Sequence, residues 1–237
     1  MKNILLASAL AASSLAQAAP LYSNGAIVDG AGLSIVASTD NTYGFGASAA
    51  SGNSLADDFH VGGNGWQVQS LDFYAYQTGI SAFQYTSVAW KVISGDVNTG
   101  TVMASGTTAV TSGGQVGYRV LPTTLTNTQR PIFDIAADVP DFDLAAGDYW
   151  LTWSLSASNA NAIFVPSLTA LAADNGQQAT TASAGQFFTL HDGGSNRTVD
   201  LPFQINGMAL PGTVPEPGSL ALVGLAGFAL LACRRRV

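Results

Sequence analysis

The chain has 237 residues, 47% of them hydrophobic and only 10% charged, with a formal net charge of −7. Eight basic side chains against fifteen acidic ones cannot neutralise a phosphate backbone, which excludes nucleic acid as a partner. One cysteine and two histidines exclude a disulfide framework and a zinc site built on Cys and His.

In chain order, residues 1–18 hold Lys2, a mostly apolar run from Ile4 to Leu15, and the A-x-A pattern of Ala16, Gln17 and Ala18. A positive start, a short apolar run and small residues at the end predict a signal peptide, cut after Ala18. A cut one residue later would set Pro20 beside the scissile bond.

Residues 19–209 are poor in helix formers and rich in Gly, Ser, Thr, Ala and Val. Three stretches alternate with the period of a strand: GWQVQSLDFYAYQT (65–78), YTSVAWKVI (85–93) and DYWLTWSL (148–155). In the first, one face would carry Trp66, Val68, Ser70, Asp72, Tyr74 and Tyr76. In the second, Val88, Trp90 and Val92 point one way. In the third, Trp150 and Thr152 oppose Leu151, Trp153 and Leu155. Further strands are expected near 21–28, 32–37, 54–61, 101–110, 115–121, 131–136, 162–169, 186–190 and 198–205. Asn-Gly and Asp-Gly pairs begin at 24, 29, 64, 175, 192 and 206, and are expected to close hairpins. Residues 38–54, small and polar, read as a long loop. Many short strands with frequent turns and no regular repeat predict an all-β fold: an antiparallel β-sandwich or jelly roll in a single domain.

Residues 210–218 (LPGTVPEPG) form a stiff, Pro-rich spacer. The last segment, 219–237, opens with an uncharged apolar run from Ser219 to Cys233. As a helix it would be about 22 Å long, short of the ~30 Å hydrocarbon core unless the bilayer thins. Arg234, Arg235 and Arg236 follow at once. Positive charge stays on the cytoplasmic side, so the body is expected on the other side of the membrane. With both end segments set aside, fourteen aspartates face Lys91, Arg119, Arg130 and Arg197, a net of −10.

The succession Val214, Pro215, Glu216, Pro217, then a short apolar helix, then an Arg cluster resembles the PEP-CTERM sorting signal of Gram-negative, exopolysaccharide-producing bacteria. The resemblance covers about the last 24 residues. It implies recognition and cleavage by exosortase at Pro215, Glu216 and Pro217. It also implies transient anchoring in the inner membrane, then delivery to the cell surface or extracellular matrix. Two body stretches, 56–79 (ADDFHVGGNGWQVQSLDFYAYQTG) and 144–155 (LAAGDYWLTWSL), look like motifs recurring in the β-sandwich bodies of such proteins. No activity comes with them.

The chemistry of the body is sparse. Glycoside hydrolysis needs two carboxylates flanking one bond. Asp57 and Asp58 are adjacent and would face apart, while Asp141 and Asp143 precede a turn. Ser195 lacks a G-x-S-x-G setting, and His191 and Asp192, as neighbours on a strand, point away from each other. No enzyme is expected. Structural calcium would draw on Asp138, Asp141, Asp143 and Asp148, unless these form only a solvated acidic loop. Carbohydrate contact would draw on Trp66, Asp72, Tyr74 and Tyr76, unless these aromatics pack a core. A non-enzymatic structural or adhesive role with exopolysaccharide is therefore expected, beside a carbohydrate-binding module or, further off, a glycan-active enzyme.

Overall fold

The computed structural model describes residues 19–169 and 174–212. In chain order the strands are β1 (Ala19–Ser23), β2 (Leu33–Ile35), β3 (Phe45–Gly46), β4 (Ser54–Val61), β5 (Trp66–Ala75), β6 (Tyr85–Ser94) and β7 (Thr101–Ala109). They continue as β8 (Thr111–Val120), β9 (Pro131–Leu144), β10 (Gly147–Ala157), β11 (Phe164–Val165), β12 (Gln177–Ala179), β13 (Phe187–Thr189) and β14 (Phe203–Ala209). Two six-stranded sheets result, in the orders β1-β14-β5-β9-β8-β2 and β13-β12-β4-β10-β6-β7, with a small β11-β3 pair beside them. Pairing is antiparallel except between β2 and β8. The all-β expectation stands.

The alternation read from the sequence builds the core. Val88, Trp90 and Val92 of β6 and Leu151, Trp153 and Leu155 of β10 are buried on the inward face. They meet Leu71 and Phe73 of β5, Ile135 of β9 and Phe203 of β14 from the opposite sheet. The ring of Trp153 lies 5.6 Å from that of Phe73 and 5.9 Å from that of Phe203. Trp90 stacks on Phe142 at 5.5 Å. Burying such rings removes the largest apolar surfaces of the chain from water, on the order of 3 kcal/mol each.

Three local expectations change. First, β5 does not keep one phase. Its register shifts between Val68 and Ser70 against both β9 and β14. Against β14 the extra residue is Gln69, because Asn206 and its neighbour Gly207 pair with Ser70 and Val68. A bulge swaps the faces beyond it. Trp66 and Val68 point into the core, and after the bulge Leu71, Phe73 and Ala75 do. Second, β9 does not stop at 136 but runs to Leu144. Its β8 partner ends at Ala136, so Pro140 sits where that edge asks for no N–H. Third, Asn206 and Gly207 lie within β14 rather than in a turn. Asn64 and Gly65 carry the chain from one sheet to the other instead of closing a hairpin. The pairs at 24, 29 and 175 also join no two paired strands, whereas Asp192 and Gly193 lie between the bridged His191 and Thr198.

The expected loop at 38–54 holds β3 and a 3-10 turn, Ala49–Ser51. Its first part is fixed by polar contacts distant in sequence. The Asp192 carboxylate accepts from the backbone N–H of Thr42 at 2.8 Å, of Gly194 at 2.8 Å, of Ser195 at 2.9 Å and of Asn41 at 3.2 Å. Arg197 pairs with Asp40 at 2.6 Å. Arg119, buried, donates to the carbonyls of Tyr43 and Thr42 and the hydroxyls of Ser34 and Ser167. Burial pulls its pKa down to about 10, so it stays cationic at neutral pH.

Among the described residues no helix is long and apolar enough to cross a membrane. The expected signal peptide (1–18), with Ala16 and Ala18, and the membrane segment (219–233) lie outside them, as do Pro215, Glu216, Pro217 and the three terminal arginines.

Candidate functional site

The bulge in β5 divides the aromatic set that the sequence put on one face. Trp66 is a core residue, 6.3 Å from the ring of Phe59. Tyr74 and Tyr76 stand on the other face, buried in a small cluster with Ile132 and the flanking Ile27, Val28 and Phe164. Of these four side chains, only Asp72 keeps partial exposure. It accepts from the side-chain amides of Asn206 at 2.8 Å and Gln204 at 3.2 Å. Burial raises its pKa. On the neighbouring strand, burial and then Asp72 push Asp134 up to about 6. These two carboxylates belong to a polar row across β14, β5 and β9.

The aspartates expected to hold calcium do not converge. Asp138, Asp141 and Asp143 stand exposed along β9, while Asp148 sits on β10 of the other sheet, bonded to His60 at 2.7 Å. Among the described residues no group of three or more His, Cys, Asp or Glu could hold a metal ion. Asp57 and Asp58 do face apart: Asp57 is wholly buried on the core side of β4, accepting from the N–H of Leu201 at 2.6 Å. His191 turns to the carbonyl of Asn196, whereas Asp192 turns to the loop at 41–42. Ser195 donates to Asp40 at 2.7 Å.

What the chain does build is a groove on the outer face of the second sheet. Strict alternation in β6 sends Val88, Trp90 and Val92 inward and therefore Ala89, Lys91 and Ile93 outward. Lys91 sits opposite Thr152 on β10 and opposite Ser105 on β7. Two adjoining cavities, of about 400 and 480 Å³, meet over this point and share Ser54, Lys91 and Thr152. The first extends towards Ile93, Val97 and Phe187, an apolar wall packed around Ala56 and Trp150. The second extends over Ser105, Thr107 and Ser154. A floor of hydroxyls with one ammonium and one apolar wall can bind through hydrogen bonds and ring-face contact. Its lining includes no carboxylate, imidazole or thiol.

The sequence contained one signal for this site: Lys91 is the only lysine of the body and falls on the outward phase of a strongly alternating strand. Its partners Thr152 and Ser105 come from strands whose pairing the sequence left open.

No curated protein and no solved structure matches the chain. Residues 213–236 match the family model of the PEP-CTERM protein-sorting motif, so the β-sandwich belongs to a chain bearing the sorting signal of an exosortase substrate bound for the cell surface or beyond.

Proposed function

We propose that the protein is a non-enzymatic structural component of the cell surface or exopolysaccharide matrix. The route begins with secretion through residues 1–18 and passes through brief retention of 219–233 in the inner membrane. Exosortase then cleaves near Pro215, Glu216 and Pro217, with Arg234 to Arg236 holding the orientation. The body is the working part, and it contacts matrix polysaccharide through the groove over β4, β10, β6 and β7. The observation that carries this reading is the groove itself. It is a lining of Ser and Thr hydroxyls beside an apolar wall, open on a sheet face, which suits a sugar chain better than a compact metabolite.

Two measurements test the two halves. Mass spectrometry of the extracellular form should find the C-terminus near Glu216; a product still carrying Arg236 rejects processing. Affinity electrophoresis of the same mature protein in gels containing its own matrix polysaccharide should show retardation. Unchanged mobility rejects the polysaccharide contact and leaves a purely structural role.

A further inference from the structure

We propose that the groove on the second sheet takes an acidic polysaccharide whose carboxylates are widely spaced, and that Lys91 is the contact that reads them. The proposal rests on the polysaccharide reading above and narrows its ligand class.

The body carries four cations, and three of them are engaged by the protein itself. Arg119 is buried with all its hydrogen bonds directed at protein oxygens. Arg197 is tied to Asp40. The Arg130 guanidinium lies 4.1 Å from the centre of the Tyr43 ring. Lys91 alone, among the described residues, is exposed with neither an ion pair nor a ring beneath it. In a body with fourteen aspartates, a free cation could have been paired many times over. Two structural roles for a surface lysine do not fit its position. Lysines that protect a sheet from edge-to-edge association sit on edge strands, whereas β6 lies between β10 and β7. A single lysine also adds nothing to the solubility of a chain this acidic.

The surroundings set the kind of anion. Lys91 stands where the two cavities join, with hydroxyls of Ser54, Thr152, Ser105 and Thr107 around it. Four neighbouring strands span about 15 Å at the usual spacing, so the trough accommodates several sugars rather than one. One ammonium within a net of −10 matches one carboxylate among several neutral units. A polymer charged at every unit would meet long-range repulsion from the aspartates that one lysine cannot offset. Sugar hydroxyls find partners on the floor, and the apolar wall by Ile93 and Phe187 offers a surface for a ring face.

The probe is deacylated gellan, which carries a single glucuronate in each tetrasaccharide repeat. Carboxyl-reduced gellan is its neutral counterpart, and alginate is charged at every unit. With the mature protein in affinity electrophoresis, gellan should retard it most. Carboxyl reduction and Lys91→Gln should each weaken retention roughly tenfold, as loss of one charge-assisted hydrogen bond implies. Lys91→Arg should keep it, and both variants should melt as the parent does, since the side chain is exposed. Equal retention by gellan and its reduced form, or by parent and Lys91→Gln, overturns the role of Lys91 while the polysaccharide reading stands. Tighter binding of alginate than of gellan overturns the spacing argument. Absence of binding to these polymers and to the native matrix polysaccharide alike overturns the polysaccharide reading itself.

Discussion

Asp57 lies on the inward face of β4, among Leu55, Phe59 and Val61, where its carboxylate accepts from the N–H groups of Leu201 and Asp58. Burial, then the nearby Asp200 and Asp58 charges, win over these two hydrogen bonds and push its pKa up to about 8. Unfolded, the group loses its proton near pH 4; folded, it keeps that proton to about 8. Its neutral form therefore favours the folded state fully below pH 4, and that advantage is lost as pH rises from about 4 to 8. Asp134 acts in the same direction up to about pH 6. Asp192 acts oppositely: burial raises its pKa, but the four N–H groups outweigh this and hold it well below the carboxylate range. Its contribution is present above about pH 4 and fades as pH falls further. The urea midpoint should thus peak near pH 4–5 and decline towards pH 8, by at most about 1.4 kcal/mol per pH unit for each proton involved. Asp57→Asn should flatten that decline and unfold at higher urea than the parent at pH 8. A parent midpoint that is level from pH 5 to 8 contradicts the account.

At the scale of the element, the bulge on β5 shows what alternation alone conveys. Strands β6 and β10 were legible because large apolar residues recur at every second position without interruption, and a one-residue slip would expose all of them. β5 alternates just as visibly, yet Gln69 resets its phase. Nothing near Gln69 announces this, because the cause sits on the neighbouring strand. Gly207 allows it: a Cβ there would stand 2.0 Å from the backbone oxygen of Gln67. Read locally, Asn206 and Gly207 signalled a turn; in the sheet they mark a close approach of two backbones. The second half of β9 was hidden for a similar reason, since Pro140 with three aspartates looks like a loop until the strand is seen to have lost its β8 neighbour. The candidate site followed the same division. The outward position of Lys91 was readable, whereas the hydroxyls around it depended on pairings across roughly 15 and 60 residues of sequence. Gly207→Ala should therefore cost about 1–3 kcal/mol in urea unfolding through forced backbone movement. Gly30→Ala, with nothing within 4 Å of the added Cβ, should change stability by no more than about 0.5 kcal/mol. Equal effects would show that the approach at Gly207 is not tight. For the same reason Trp66→Ala should act on stability, by about 3–5 kcal/mol.

On the scale of the whole molecule, topology sets how near the body stands to the proposed cleavage motif. Ala19 of β1 pairs with Gly207 of β14, and the N–H of Leu210 donates to the carbonyl of Gly65 at 2.9 Å. Both ends of the sandwich therefore leave from one place, beside the connections at 62–65 and 145–146, where Gly65 packs against Leu144 and Ala145. From Leu210, still held by the body, to Pro215 there are five residues, which reach about 18 Å at full extension. On the proposed route, exosortase has to reach the motif within that distance of a folded domain. Removing Pro211, Gly212 and Thr213 leaves two residues and a reach of about 7 Å, less than the width of one helix. The folded body would then press on the enzyme, and precursor should accumulate in the membrane fraction relative to mature product on an immunoblot. A flexible ten-residue insertion after Gly212 relieves any such contact and should process at least as fast as the parent. If the deletion is processed at the parent rate, cleavage precedes folding of the body, and the short spacer has no part in positioning it.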